Sequence, residues 1–127
     1  MDVTPLVRKG QQIIQSYSGG VFKISGVTHS NAVIVFPDGT EEWCVGDVSD
    51  VSGLTEDHFS IFLDKSNELD VVLLGTGKVI AFLPRPLRDA LKANGLQVDV
   101  MDTGAACRTY NVLMAEGRRV ACALLPS

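Results

Sequence analysis

Asp102, Thr103, Cys107, Arg108 and Asn111 crowd the start of an expected helix in the run Val98-Asp99-Val100-Met101-Asp102-Thr103-Gly104-Ala105-Ala106-Cys107-Arg108-Thr109-Tyr110-Asn111. Two kinds of chemistry suit that grouping. The first amides of a helix have no partner within it and lie at the positive end of the dipole, so they can receive a small anion or a protein carboxylate. Gly104, Ala105 and Ala106 are small enough to let a ligand approach that backbone. Cys107, beside Arg108 and close to the same dipole end, has the surroundings that favour a thiolate. A second turn, Gly75-Thr76-Gly77, closes the apolar run Val71-Val72-Leu73-Leu74 and could wall the same crevice. In open α/β sheets such turns stand at the carboxyl ends of strands, where ligands bind. The candidate binding residues are therefore Gly75, Thr76, Gly77, Asp102, Thr103, Cys107, Arg108 and Asn111.

A purely structural reading stands beside each of these. Asp102 or Thr103 can serve as the N-cap, with the small residues permitting tight packing of helix on sheet. A thiol nucleophile wants a base within reach, and the chain has only His29 and His58, neither assigned to Cys107. Cys107 accordingly reads as a packing cysteine, and Cys44 and Cys122, in strand patterns, as core. A cation early in a helix opposes the dipole by a few tenths of a kcal/mol. Arg108 should therefore have an offsetting partner, either Asp99 or Asp102, or a bound anion. Tyr110 continues the apolar spacing Ala106-Tyr110-Leu113 and reads as core, its hydroxyl bonded at the edge. Trp43 reads as a packing anchor, His58 as a cap or surface residue, and His29 as part of a Thr28-His29-Ser30-Asn31 loop.

Known cofactor and metal patterns are missing. Gly75-Thr76-Gly77 continues into Lys78-Val79-Ile80, so it lacks the third glycine of a dinucleotide fingerprint, and no phosphate loop of the GxxxxGK[ST] type occurs. Three cysteines with no close pair make neither a disulfide framework nor a zinc site. No HExxH, paired-carboxylate or Ser-His-Asp order is visible, so no catalytic residue, cofactor or metal is expected. A net charge of −4 argues against a nucleic-acid partner. Residues 1–12 are polar and charged, without the apolar centre of a secretory signal, and no run is long enough to span a bilayer. These features predict a cytoplasmic protein.

The elements that must position the candidate site follow from patterning. At 127 residues, 46% hydrophobic and 20% charged, the chain fits one domain over 1–127 that folds without metals or disulfides. Strands are expected at 13–17, 21–25 and 32–36, the last continuously apolar as in a strand buried on both faces. Pro37-Asp38-Gly39-Thr40 is a turn signal, and 41–45 would return as its hairpin partner. Thr55 begins a helix with Glu56 and Asp57 in its first turn, a Leu54–Phe59 staple, and Phe59, Phe62 and Leu63 on its buried side. A strand at 70–74 precedes a second helix, opened by Pro86 at its first position and ended by Gly95, with Leu87, Ala90 and Leu91 inward. Then come a strand at 97–101, a helix at 103–116 closed by Gly117, and a strand at 118–125. Alternating strand and helix in the second half predicts βα units and a mixed, partly parallel sheet behind N-terminal β-hairpins, an α/β fold.

Leu74-Gly75-Thr76-Gly77, Val98-Asp99-Val100-Met101-Asp102-Thr103, Ala105-Ala106-Cys107-Arg108-Thr109-Tyr110-Asn111-Val112-Leu113 and Glu116-Gly117-Arg118-Arg119-Val120 together resemble a widespread family of small uncharacterised proteins. Its members include the mitochondrial NADH dehydrogenase (ubiquinone) complex I assembly factor 3. The resemblance covers nearly the whole chain and is strongest over 74–125. It implies a single three-layer α/β domain with a mixed central sheet. It also implies a helper in respiratory complex I assembly that acts by protein contacts. A respiratory-complex subunit or assembly protein is then the expected partner, and a homodimer is compatible with the sequence. Gly75, Thr76, Gly77, Thr103, Cys107, Arg108, Tyr110 and Asn111 match the family's motifs, for which no catalytic residues are established. The alternative is a small-anion binder or an enzyme using the crevice between Gly75-Thr76-Gly77 and the segment 102–111.

Overall fold

The computed structural model describes residues 11–46 and 51–126. Residues 1–10, most of the segment read above as lacking a signal, lie outside the described residues. A small antiparallel sheet comes first, formed by β1 (Ile14–Ser16), β2 (Phe22–Ile24) and β3 (Val27–His29) in sequential order. The central sheet contains β4 (Val33–Phe36), β5 (Gly39–Glu42), β6 (Val71–Gly75), β7 (Val98–Met101) and β8 (Val120–Leu124). Their order across the sheet is β5-β4-β8-β6-β7, with β6 parallel to both its neighbours and β4 antiparallel to both of its own. Among the described residues three α-helices accompany them: α1 (Ser60–Asp64), α2 (Arg85–Ala93) and α3 (Thr103–Ala115).

The three inner strands carry apolar residues on both faces, and their alternation sorts the core into two halves. Ile34, Val72, Leu74, Ala121 and Ala123 point to one side, where Trp43, Phe59, Phe62, Leu87 and Leu91 close over them. Val33, Val35, Leu73, Cys122 and Leu124 point to the other, against Ile14, Phe22, Ile24, Ala106, Tyr110 and Met114. The result is three layers, with α1 and α2 on one face and α3 with the small sheet on the other.

Chirality explains that division. The chain leaves β6 through α2 to β7 at the edge, then returns through α3 past β6 to β8. Both are parallel crossovers, and right-handed crossovers made in opposite directions must place their helices on opposite faces. The connections after β6 and β7 therefore part to opposite sides. The ends of these two strands form the topological switch point, the place where α/β sheets open a crevice.

Several boundaries depart from the sequence reading. The helix expected from Thr55 is a 3₁₀ turn, Glu56–Phe59, running into the short α1, and Leu63 is half-buried rather than buried. Its start is fixed by the Thr55 N–H donating to Nδ1 of His58 at 3.0 Å, so His58 is a capping residue. Pro86 occupies the second helical position of α2, after Arg85. The hairpin partner of β4 begins earlier than expected, at Gly39, and Trp43 lies beyond its end. Trp43 is buried, edge-on to Phe59, with its indole N–H donating to the His58 carbonyl at 2.7 Å. Thr28 and His29 form β3 rather than a loop. That strand lacks an apolar pattern because it lies at the exposed edge, with Val27 57% exposed.

The small sheet is tied to α3 by two side chains. Asn111 accepts from the Ile14 N–H at 2.9 Å and donates to the Ile14 carbonyl at 2.8 Å. Tyr110, fully buried, donates its hydroxyl to the Gln12 carbonyl at 3.0 Å, and burial raises its pKa. We expect Asn111→Ala to lower stability by about 1–3 kcal/mol, since it leaves an N–H and a carbonyl of β1 without their partner. Urea unfolding measures this, and an unchanged midpoint would refute the brace.

Candidate functional site

Main-chain geometry at the switch point starts from Gly75. A Cβ on this residue would stand 2.9 Å from Leu124 Cδ2 and 3.0 Å from both Cα and Oγ1 of Thr103. Only hydrogen fits there, and it lets the start of α3 press against the end of β6. Thr103 is fully buried at that contact. Its hydroxyl accepts from the Gly77 N–H at 2.8 Å and donates to the Leu125 carbonyl at 2.7 Å. Two further main-chain bonds, Thr103 N–H to Gly77 carbonyl at 2.9 Å and Leu125 N–H to Gly75 carbonyl at 3.0 Å, complete the join.

Thr76 does similar work on the outgoing loop. Its N–H donates to the Met101 carbonyl at 3.0 Å. Its hydroxyl accepts from the Ala81 N–H at 3.1 Å and lies 2.8 Å from the Val79 carbonyl. Asp102 is the N-cap of α3, and its carboxylate accepts from the Ala105 N–H at 2.9 Å. A carboxylate thus already sits at the positive end of the helix, where an external anion would bind. Gly75, Thr76, Gly77, Asp102 and Thr103 come together, with their polar groups bonded to one another or to main chain of Val79, Ala81, Met101, Ala105 and Leu125.

The remaining candidates lie farther along α3. Cys107 is buried, with its thiol pushed up to about 12 by desolvation, which outweighs the lowering by Arg108. A thiol with that pKa is almost wholly protonated near neutrality and makes a poor nucleophile. Cys122 is buried too, its pKa raised by desolvation. Cys44, by contrast, is exposed, which corrects its assignment to the core. It follows the end of β5, where the alternation that buries Trp43 and Val45 turns the residue between them outward. Asn111 faces β1, as described above.

Arg108 is exposed, and its partner is neither Asp99 nor Asp102. Its Nη1 donates to the hydroxyl of Tyr17 at 2.6 Å. Gly104, one turn earlier on the same face, keeps this pair close to the helix, since a Cβ there would lie 2.9 Å from Tyr17 Cε2 and 3.2 Å from Arg108 Nη1. Among the described residues the ion pairs are Arg85–Asp89 at 3.8 Å and Arg119–Asp70 at 2.8 Å, so no carboxylate there neutralises Arg108. Val112, one turn beyond, is 52% exposed and extends the outward stripe of Gly104 and Arg108.

Two features escaped the sequence reading. Tyr17 and Arg108 are 91 positions apart, and no local signal links them. The segment Lys78-Val79-Ile80-Ala81-Phe82 lies between β6 and α2; Ala81 packs partly against the core, while Val79, Ile80 and Phe82 face outward, with Phe82 69% exposed. An apolar run that fits neither a strand nor a helix between a glycine turn and Pro84 was the available signal. Among the described residues no helix is long and apolar enough to cross a membrane, and no cluster of His, Cys, Asp and Glu is placed to hold a metal.

The family described as "Protein of unknown function (DUF498/DUF598)" matches residues 14–125. An uncharacterized protein of Rhodobacter capsulatus is 35% identical over 89% of this chain and 83% of its own length. The NADH dehydrogenase [ubiquinone] 1 alpha subcomplex assembly factor 3 of Danio rerio is 37% identical over 90% of this chain, which spans 64% of that protein. Among solved structures, one titled an outer membrane protein from Bartonella henselae superposes with a TM-score of 0.79 at 36% identity, covering 92% of this chain and 96% of the other. A Mth938-like domain from Bordetella pertussis gives 0.76 at 28% identity, covering 99% of this chain and 92% of the other.

Two outcomes follow from this geometry. Thr103→Val keeps the shape but leaves the buried Gly77 N–H and Leu125 carbonyl unpaired, so it should cost about 2–4 kcal/mol, and Thr103→Ser distinctly less. Equal losses in thermal unfolding for the two variants would contradict the hydroxyl's role. In native protein treated with iodoacetamide at pH 8, Cys44 should be alkylated, while Cys107 and Cys122 react only after denaturation. Peptide mass spectrometry reads the pattern directly, and early modification of Cys107 would refute its burial.

Proposed function

Because this chain belongs to the DUF498/DUF598 family and matches complex I assembly factors across most of its length, we propose that it is a non-catalytic assembly factor working by protein contact. The observation that carries this reading is Arg108, an exposed guanidinium oriented by the Tyr17 hydroxyl and, among the described residues, by no carboxylate. Its charge is fixed in direction and still open to an acidic group on a partner. Gly104, Arg108 and Val112, one turn apart along α3 with Tyr17 beside them, form a small mixed surface of the kind that recognition faces use. Gly75, Thr76, Gly77, Asp102 and Thr103, gathered where β6 and β7 end, act in this reading as the frame that presents α3 and its Arg108.

An anion at the start of α3 would compete with the Asp102 carboxylate for the Ala105 N–H and meet its negative charge, which favours protein contact over the small-anion alternative. We place the protein in the cytoplasm, in keeping with its three free cysteines. Its partner is a respiratory-complex subunit or another assembly protein.

Affinity capture of the tagged protein from its native cells, with mass-spectrometric identification, tests the proposal. Wild type should recover such subunits or assembly proteins, and Arg108→Glu should reduce the recovery about tenfold or more. Light scattering separates these complexes from a homodimer. Recovery of the same proteins at the same level by Arg108→Glu would remove α3 from the contact.

A further inference from the structure

We propose that the loop 78–84 and the exposed face of α2 form a docking surface for an anionic lipid bilayer, which the protein would touch from one side. Val79, Ile80 and Phe82 are 74%, 45% and 69% exposed. Single exposed apolar residues are ordinary on a protein surface, but three within four positions form a contiguous patch that calls for a partner. The loop is not loosely held. The Thr76 hydroxyl secures it at Ala81 and Val79, and Leu83 is buried beneath it, so the outward side chains are held outward by the turn itself.

Charge supplies the second half of the argument. Four of the chain's eleven Lys and Arg, but only one of its fifteen acidic residues, fall between Lys78 and Lys92. Lys78, Arg85, Arg88 and Lys92 are all exposed. The last three, spaced i, i+3 and i+7, share one side of α2, and the single acid, Asp89, is itself paired with Arg85 at 3.8 Å. Charges farther away than a Debye length of about 8 Å are largely screened, and the turn Glu56–Phe59 that packs against α2 sets two acids, Glu56 and Asp57, against these four cations.

An apolar tip ringed by cations matches the interface of an anionic bilayer. The side chains of Val79, Ile80 and Phe82 would enter below the headgroups, and the cations would meet the phosphates. Side chains this exposed stand well out into solvent. A cleft of about 560 Å³ is lined by Phe36, Pro37, Leu69 and Met114, at the other end of β6 and β8. A protruding tip of this kind favours a bilayer over a groove-binding acidic peptide. Neither the apolar contact nor the basic patch is large enough alone, and reversible membrane binding commonly takes two such signals together.

Co-sedimentation with vesicles of phosphatidylcholine and phosphatidylglycerol at about 2:1 tests this, with pure phosphatidylcholine vesicles alongside. Wild type should pellet with the anionic vesicles only, and raising the salt from about 0.1 to 0.5 M should release most of it. Phe82→Ser and Arg88→Glu, both at exposed positions, should each lower partitioning about tenfold while leaving thermal unfolding unchanged. In Phe82→Trp, anionic vesicles should shift the added indole emission to the blue over the constant signal of buried Trp43. Failure of wild type to pellet, or equal pelleting with both vesicle types, overturns the proposal. Normal pelleting by both Phe82→Ser and Arg88→Glu does so as well.

Discussion

The hydroxyl of Thr103 accepts from Gly77 and donates to Leu125, and so joins the ends of β6 and β8 to the first residue of α3. Much of the surrounding geometry depends on that fully buried oxygen. It requires a residue without a side chain at Gly75, and it fixes the angle at which α3 leaves the sheet. It also leaves Asp102 as the residue that caps the helix. A crevice is the usual product of strands whose connections part at a switch point. Here two threonines knit that place together with bonds from the protein itself.

Closing the switch point moves the opportunities for recognition outward, onto elements that the knot holds in place. The two crossovers send α2 and α3 to opposite faces, so the surfaces they present differ in address and in character. On α3 an oriented guanidinium stands beside a phenol and an exposed valine. On the α2 side, the loop after β6 offers apolar side chains next to lysine and arginine. The small sheet braces the first of these faces through Asn111 and Tyr110, and Thr76 braces the second through Ala81.

Much of the fold was legible in the sequence because the controlling signals are local. Continuous apolar runs marked β4, β6 and β8 as strands covered on both sides. Gly95 and Gly117 marked where α2 and α3 end. The family motifs and the alternation of strand and helix led to the three-layer arrangement and its mixed sheet. The failures were of a different kind. Edge position, which no run of residues encodes, made β3 look like a loop. Cys44 looked like core because it sits between two buried residues. Arg108 was matched to nearby acids, although its partner arrives from β1's end of the chain through tertiary packing. Gly75, Thr76, Gly77, Asp102 and Thr103 lie together while Cys107, Arg108 and Asn111 lie farther along α3, and what spacing could not reveal was that the polar groups of the first five are taken up by the protein's own main chain.

The place of β8 in the sheet has a consequence for the order in which the protein assembles. It is the last strand along the described chain, yet it lies between β4 and β6. Until residues 120–124 are available, the β4–β5 hairpin and the β6–α2–β7 unit share no strand pairing, and each leaves an apolar edge uncovered. Synthesis from the N-terminus therefore yields two incomplete pieces that only the arrival of β8 can weld. Closure over such long sequence separations is slow, and the open edges invite wrong pairings meanwhile. In a nascent chain of this design those edges stay open until the final strand is made.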